Sequence, residues 1–217
     1  MNLIKINEGL AEIYGALIGD GCLSQYPTKD RNNPKKVILF TGHLSHDFDY
    51  YVKIIRPIFI KEFNTKGYIY KREKYNCIRY VLSNNVAFEF FKKSGFPIGK
   101  KLKLGIPRSI LLENKKSISC VRGIFDTDGS IYQRYSKKYK NHAKHYNYHV
   151  IQFKMNSKEV IKQIKLILEN NNIKTNKIIK DKKCYVLRIT NQKEIDKFMQ
   201  LIKPNNRYHR ERYLNNS

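Results

Sequence analysis

The chain has 217 residues, enough for one substantial domain or two small ones, because about a hundred residues can bury a core of their own. Its 43 lysine and arginine residues stand against 18 aspartate and glutamate residues, which gives a formal net charge of +25. An excess of this size repels itself in a compact state, so it favours a large polyanionic ligand, nucleic acid before others.

The composition also excludes other classes of protein. No run approaches the roughly eighteen apolar residues of a membrane span, and the first residues lack the basic-then-apolar order of a signal peptide. The four cysteines lie singly, without a CxxC pair, so they indicate neither a disulfide framework nor a cysteine zinc site. We therefore expect an intracellular protein, in a prokaryotic cytoplasm or an organelle, that is neither secreted nor bound to a membrane.

Two motifs repeat along the chain. IYGALIGDG, residues 13–21, is similar to VRGIFDTDG, residues 121–129, and both end in Asp-Gly. A second similar pair, CIRYVLSN from Cys77 and CYVLRITN from Cys184, has almost the same separation. Such self-similarity predicts two copies of one structural unit.

The first copy is predicted from apolar periodicity and turn residues. After the motif helix and a strand following Gly21 come a strand at 37–41, a helix with Phe48, Tyr51, Val52 and Ile55, strands near 68–71 and 78–82, and a helix at 86–92. Pro57 leaves the end of the long helix open, because proline interrupts a helix interior.

The second copy has the same predicted order. The motif helix is followed by a strand at 130–135, a basic loop and a strand at 147–155. Next come a helix with Val160, Ile161, Ile164, Ile167 and Leu168, strands at 177–180 and 184–190, and a helix with Ile195, Phe198, Met199 and Ile202. The fold class is therefore α+β, with two pseudo-symmetric αββαββα repeats. We assign residues 1–103 to the first repeat, 104–119 to a connecting segment and 120–217 to the second repeat.

Small residues spaced four apart mark both motif helices: Gly15 and Gly19 in the first, Gly123 and Thr127 in the second. This spacing lets two helices approach closely on a pseudo-twofold axis. We expect Gly21 and Gly129 to close the helices in the left-handed conformation. Taken singly, each motif could equally be a helix end with packing residues.

Two carboxylates would meet where the paired helices end. Asp20 and Asp128 would each lie at the negative end of a helix dipole and beside a like charge, and both effects disfavour a carboxylate. The arrangement becomes favourable when divalent cations bridge the carboxylates to phosphate oxygens. The repeated motif therefore predicts a cation-dependent site.

The two motifs resemble the doubled signature of the LAGLIDADG homing endonucleases in their single-chain, two-motif form. The chain departs from that signature at Ile13-Tyr14 and Val121-Arg122, where Leu-Ala is usual, and at the apolar Ile18. The resemblance implies a saddle of two antiparallel sheets in successive major grooves, with the motif helices over the minor groove. It also implies that Asp20 and Asp128 bind Mg²⁺, with Mn²⁺ or Ca²⁺ able to occupy the same site.

The resemblance implies further residues around the cations. A polar side chain ends the second strand of each half, which gives His43 and Lys154. A basic residue follows each half's last helix, which gives Lys101 or Lys103 in the first half and Arg207, His209, Arg210 or Arg212 in the second, with Arg210 preferred. Gly19 and Thr127 are predicted at the metal site as well as at the helix interface. The alternative for the basic residues is a solvated surface that contacts backbone phosphate.

Helices on one face of each small antiparallel sheet leave the other face uncovered. These uncovered faces and the basic loops are predicted to contact DNA, because Arg, Lys, Asn and Gln suit base edges in the major groove. The strand phase could be off by one residue, which would reverse every side chain. The candidates are Ser24, Tyr26, Lys29, Arg31, Lys35, Lys36, Ile38, Lys71 and Arg79 in the first copy, and Gln133, Tyr135, Lys137, Lys138, Lys140, Tyr148, Val150, Gln152, Lys180 and Arg188 in the second.

The leading hypothesis is a monomeric endonuclease that makes a double-strand break across the minor groove of a long, pseudo-palindromic or asymmetric DNA target. The alternative on the same fold is an intron RNA maturase, with intron RNA as a further partner, or a catalytically inactive DNA-binding regulator. His142, His145 and His149 lack a fourth ligand at motif distance, so zinc is not favoured. A ribosomal or chromatin-like protein would explain the charge but not the repeated helices.

Overall fold

The computed structural model describes residues 4–28, 31–101, 104–136 and 146–214, without the side chains of residues 31, 32, 135, 136, 146 and 147. Of the candidate residues, Lys29, Lys103, Lys137, Lys138 and Lys140 lie outside the described residues, as do the side chains of Arg31 and Tyr135. In the described part of the chain, no helix is both long and apolar enough to span a membrane.

The first half contains one four-stranded antiparallel sheet in the order β1-β2-β4-β3. Its elements are α1 (Glu8–Gly19), β1 (Gly21–Thr28), β2 (Arg31–His43), α2 (Leu44–Tyr50), a π turn (Tyr51–Ile55), α3 (Arg56–Phe63), β3 (Tyr68–Arg72), a 3₁₀ turn (Glu73–Tyr75), β4 (Cys77–Leu82) and α4 (Asn85–Lys93). A short helix, α5 (Arg108–Leu111), leads to the second half.

The second half contains the matching sheet in the order β5-β6-β8-β7. Its elements are α6 (Asn114–Asp128), β5 (Gly129–Ser136), β6 (Tyr146–Met155), α7 (Lys158–Asn170), β7 (Ile179–Asp181), β8 (Cys184–Ile189), α8 (Gln192–Ile202) and α9 (Arg207–Leu214). Two four-stranded antiparallel sheets with helices confirm the predicted α+β class. Helix α9 was not predicted, since its sequence RYHRERYL lacks an apolar stripe.

The two sheets share one hydrogen-bond register. Gly21 pairs with Phe40 across β1 and β2, and Gly129 pairs with Phe153 across β5 and β6. Phe40 and Phe153 are both fully buried against the helices. Because side chains alternate along a strand, this equivalence fixes which residues of the two sheets occupy corresponding places.

Polar side chains that precede the helices explain where four of them begin. Asn7 accepts a hydrogen bond from the Leu10 amide at 2.9 Å and so caps α1. Asn84, Ser157 and Asn191 cap α4, α7 and α8 in the same way. Each cap satisfies an amide that has no partner within its helix.

The motif helices α1 and α6 pack with their backbones in contact. A β-carbon on Gly15 would overlap the Cys120 carbonyl oxygen, and one on Gly123 would overlap the Glu12 carbonyl oxygen. A β-carbon on Gly19 would overlap the Thr127 hydroxyl. The predicted close helix interface is therefore present at all four small residues, and it joins the two halves.

Two local expectations need correction, and the structure also answers the question that Pro57 left open. Gly21 and Gly129 do not have the left-handed conformation, and Gly129 has φ −76° and ψ 162°. Glycine is needed at these two positions for a steric reason, because a β-carbon would overlap Leu17 at Gly21 and Phe125 at Gly129. Pro57 does not end the long helix, because it stands at the start of α3, directly after the π turn. Helix α6 begins at Asn114, inside the predicted connecting segment.

Candidate active site

Asp20 and Asp128 lie at the adjoining C-terminal ends of α1 and α6. The pKa of the Asp20 carboxyl is raised to about 7, chiefly by burial and also by the negative charges of Asp47 and Asp128. The pKa of Asp128 is also raised, by desolvation, although part of this side chain reaches the surface. Both shifts show that the protein alone does not compensate two negative charges here.

A tyrosine and a third carboxylate surround Asp20. The Tyr51 hydroxyl donates a hydrogen bond to Asp20 Oδ2 at 2.7 Å. Asp47 accepts hydrogen bonds from the His43 amide at 2.6 Å and from the Asn206 amide nitrogen at 2.9 Å. Neither Asp47 nor Tyr51 was predicted at the site. Tyr51 was interpreted as one of the apolar residues of a helix, and Asp47 does not belong to a recognisable motif.

Lys101 ties the first motif helix to this centre. Its Nζ donates to the carbonyl oxygens of Leu17 at 3.1 Å, Ile18 at 2.8 Å and Gly19 at 2.5 Å, the last turn of α1. Burial lowers the pKa of Lys101, while Asp128 and Asp20 raise it. The structure thus places Lys101 beside both aspartates.

Lys154 lies at the same centre, whereas the His43 side chain stacks on a second histidine and its backbone amide bonds to Asp47. Lys154 lines a cleft of about 190 Å³ with Lys101 and Asp128, and its Nζ pairs with Asp181 at 2.7 Å. The His43 ring stacks on His46 with centroids 3.9 Å apart. The predicted equivalence of the two residues is wrong, because the shared register makes Thr41 the counterpart of Lys154.

The basic residues after α8 occupy contrasting places on α9. Arg210 is exposed, and Arg207 is exposed and pairs with Glu211 at 2.5 Å. His209 is buried on the Phe125 ring, with centroids 4.7 Å apart, and burial lowers its pKa to about 4. A neutral histidine therefore packs beside α6, where the first half has a cationic lysine beside α1.

Gly19 and Thr127 have their polar groups engaged within the protein. The Gly19 carbonyl accepts from Lys101, and the Thr127 hydroxyl donates to the Gly123 carbonyl of its own helix at 2.8 Å. Their place at the helix interface is shown. Their role at a metal stays a prediction.

A buried polar network below the site was missing from the sequence interpretation. Glu12 on α1 pairs with Arg122 on α6 at 3.2 Å and accepts from Asn205 at 2.7 Å. Asp126 accepts from the Asn205 amide at 2.8 Å, and burial raises its pKa to about 8. This network fixes the segment after α8 against both motif helices. Its signal in the sequence was weak, because Asn205 and Glu12 belong to no motif.

The face of each sheet opposite the helices contains many of the predicted DNA contacts. The registers put on this face Ser24, Tyr26, Lys35 and Arg79 of the first sheet, and Tyr148, Val150, Gln152 and Arg188 of the second, all of them at least partly exposed except Val150, which is buried. Whether they contact DNA stays a prediction. Ser24, Tyr26 and Arg79 line one open cleft of about 460 Å³.

The remaining described candidates lie on the side of the sheet that faces the helices, so the prediction that they lie on the opposite face is wrong. Ile38 is fully buried, and Lys36 pairs with Glu89 at 2.6 Å. Lys71 Nζ lies 4.6 Å from the Phe48 ring centroid. Gln133 and Lys180 pair in register with the helix-side residues His149 and Tyr185. Neighbouring residues of a strand face opposite sides of the sheet, so candidates such as Lys35 and Lys36 cannot both lie on the same face.

The donor chemistry of the site fits a divalent cation held jointly with substrate. Among the described residues no group of three His, Cys, Asp or Glu side chains could by itself hold a metal. Two carboxylates with raised pKa values are instead suited to Mg²⁺, which keeps several waters and takes one or two carboxylates together with phosphate oxygens.

Comparisons with known proteins match the second half to one family and most of the chain to one fold. Residues 116–203 match the family described as LAGLIDADG-like domain. I-DmoI in complex with DNA and Mn is 19% identical with TM-score 0.62, covering 90% of this chain and 96% of that chain. I-DmoI with DNA and Ca is 18% identical with TM-score 0.63, covering 89% of both chains. Meganuclease I-AabMI bound to uncleaved DNA is 12% identical with TM-score 0.60, covering 96% of this chain and 88% of that chain. No curated protein matches the chain.

Proposed function

We propose that this chain, which contains a LAGLIDADG-like domain at residues 116–203 within the fold of single-chain LAGLIDADG homing endonucleases, is a site-specific DNA endonuclease. Its reaction would be hydrolysis of one phosphodiester in each strand, across the minor groove, with Mg²⁺ as the divalent cation. The observation that carries the proposal is the meeting of Asp20 and Asp128 at the ends of two helices in backbone contact.

Each residue of the centre has a role in this proposal. Asp20 and Asp128 would hold the cations, which would supply a Lewis acid for the phosphate and a nucleophilic water. Tyr51 donates to Asp20 Oδ2 and leaves the other carboxylate oxygen for a cation. Lys101 provides a fixed positive charge beside both carboxylates, where negative charge accumulates on the phosphate in the transition state.

The sheets and the net charge supply the DNA surface. The faces opposite the helices carry arginine, lysine, glutamine and tyrosine, which suit the major groove. The charge of +25 favours phosphate binding along a long duplex. The related structures named above are complexes with DNA, in some cases with Mn or Ca.

The test uses duplexes selected for binding from a random DNA library, each then offered as a substrate with Mg²⁺. Wild-type protein should cut both strands, whereas Asp20→Asn and Asp128→Asn should lose cleavage by at least a thousandfold and keep affinity for the duplex. Asp49→Asn is the matched control, because Asp49 is on α2 and pairs with Lys53 at 2.9 Å. Retained cleavage by both single aspartate variants would end this proposal, and binding without cleavage by the wild type would favour an inactive regulator.

A further inference from the structure

One pair of cross-strand neighbours differs in chemistry between the two sheets. The shared register makes Leu39 on β2 the counterpart of Gln152 on β6. Leu39 pairs with Val81 on β4, and Gln152 pairs with Arg188 on β8. The two pairs therefore occupy the same place in the two pseudo-symmetric sheets, on the face opposite the helices.

The pair in the first sheet is apolar. Leu39 and Val81 are partly exposed and line, together with the more buried Val37, the cleft of about 460 Å³ on this face. Tyr26 and Tyr70, which are 42% and 53% exposed, form its rim. An apolar floor in this position offers no hydrogen bond to a base edge, but it offers van der Waals contact to a methyl group.

The pair in the second sheet is polar and fixed. Arg188 Nε donates to Gln152 Oε1 at 2.8 Å, and both side chains are partly exposed. This bond orients the planar guanidinium and leaves its terminal nitrogens to donate elsewhere. Two parallel donors of an arginine match the O6 and N7 acceptors of guanine in the major groove.

We propose that the two sheets read different bases at equivalent positions of the target, thymine by Leu39 and Val81 and guanine by Arg188 positioned by Gln152. The proposal rests on the proposed function, since it requires these faces to lie in major grooves. Thymine is the base that presents a methyl group in the major groove, which is the group an apolar pair can recognise. The target is therefore asymmetric at this position, although the two sheets have the same fold.

The first experiment exchanges the pairs. In the non-cleaving Asp20→Asn, Asp128→Asn background, duplexes are selected from a random library by the parent, by Gln152→Leu with Arg188→Val, and by Leu39→Gln with Val81→Arg. The parent consensus should have thymine in one half-site and guanine at the equivalent position of the other. The first exchange should replace that guanine by thymine, and the second should do the reverse. Lys162→Ala, an exposed change on α7, should leave the consensus unaltered.

The second experiment changes the DNA and leaves both sheets intact, so it does not depend on the folding of a sheet variant. Replacing the thymine by deoxyuridine removes one methyl group and should weaken binding about three- to fivefold. Replacing the guanine by 7-deazaguanine removes the N7 acceptor and should weaken binding roughly tenfold. The same replacements at neighbouring positions are the controls.

The outcomes separate this inference from the proposed function. A sequence-specific consensus that is unchanged by the exchange, or insensitive to the two altered bases, overturns the assignment of these pairs and leaves the nuclease proposal standing. Selection that yields no consensus overturns both. A consensus that follows the exchanged residues supports both.

Discussion

At the scale of single residues, Lys101 connects helix geometry to chemistry. Three carbonyl oxygens at the end of α1 hold its ammonium group in place, and the helix dipole there favours a positive charge. The same group lies beside Asp20 and Asp128. One side chain therefore donates hydrogen bonds to the carbonyl groups at the end of α1 and supplies fixed positive charge where a phosphate would be cleaved.

Replacing Lys101 by methionine tests this role. We expect Lys101→Met to lower the single-turnover rate of cleavage roughly a hundredfold, because a preorganised charge is lost at the transition state. The stability should fall by about 1–3 kcal/mol, since buried carbonyl groups lose a charged donor. Lys100→Met, at the exposed neighbouring position, is the control and should change neither quantity. An unchanged rate would remove Lys101 from the centre.

His209 gives the stability of the protein a pH dependence of defined sign. Its pKa is lowered to about 4 by burial, below the value of 6.5 for an unfolded histidine. Below pH 6.5 the unfolded chain therefore binds a proton that the folded chain excludes. Its contribution to stability is intact above pH 6.5 and is lost as the pH falls towards 4.

We therefore expect wild-type protein to lose ~2 kcal/mol more unfolding free energy than His209→Phe when the pH is lowered from 7 to 5. Urea unfolding at the two pH values measures the difference, and phenylalanine keeps an aromatic ring against Phe125 while removing the titration. Equal losses in the two proteins would show that His209 is protonated in the folded state.

At the scale of elements, the contact between α1 and α6 depends on glycines in both helices. In most helices alanine is more favourable than glycine by about 1 kcal/mol. Here a β-carbon at Gly123 would overlap the Glu12 carbonyl oxygen and lie 2.8 Å from the Ala16 amide nitrogen. Because both obstacles are backbone atoms, neither can rotate aside and the helices must separate.

Gly123→Ala should consequently destabilise the protein by about 3 kcal/mol, at the upper end of the range for overpacking. Chemical unfolding measures the loss. Gly105→Ala is the control, since its β-carbon would meet the Gln163 and Glu159 side chains at 3.5–3.6 Å, which is ordinary contact. A stabilising effect of alanine at Gly123 would be incompatible with the helix contact described here.

Some of the helices and strands could be predicted from the sequence, and others could not. Periodic segments such as Val160 to Leu168 and the repeated motifs predicted the helices, the order of helices and strands along the chain, and the meeting of Gly15 with the second helix, because buried apolar faces and small residues leave a clear pattern. The face on which strand side chains lie was less predictable: Ile38 was expected on the DNA side, but it is buried, because it is two residues from Phe40 and therefore faces the helices as Phe40 does. Asp47 and Tyr51 could not be predicted, because long-range packing alone brings them to Asp20.

At the scale of the whole molecule, the net charge of +25 predicts a strong dependence of DNA affinity on salt. Neutralising six to ten phosphates releases their counterions, so affinity should fall roughly 10³- to 10⁵-fold between 50 and 200 mM salt. Fluorescence anisotropy with a selected duplex, at several salt concentrations, measures the slope. A slope near zero would show that the excess charge does not lie on the binding surface.

The central claim is that the two halves join one carboxylate each into a shared cation centre. The most direct test is a crystal structure of the protein with a selected duplex and Mn²⁺, in which anomalous scattering locates the metal. The account predicts Mn²⁺ coordinated by carboxylate oxygens of Asp20 and Asp128 together with phosphate oxygens of the DNA. Mn²⁺ bound elsewhere, with these two side chains away from the phosphate, would contradict it.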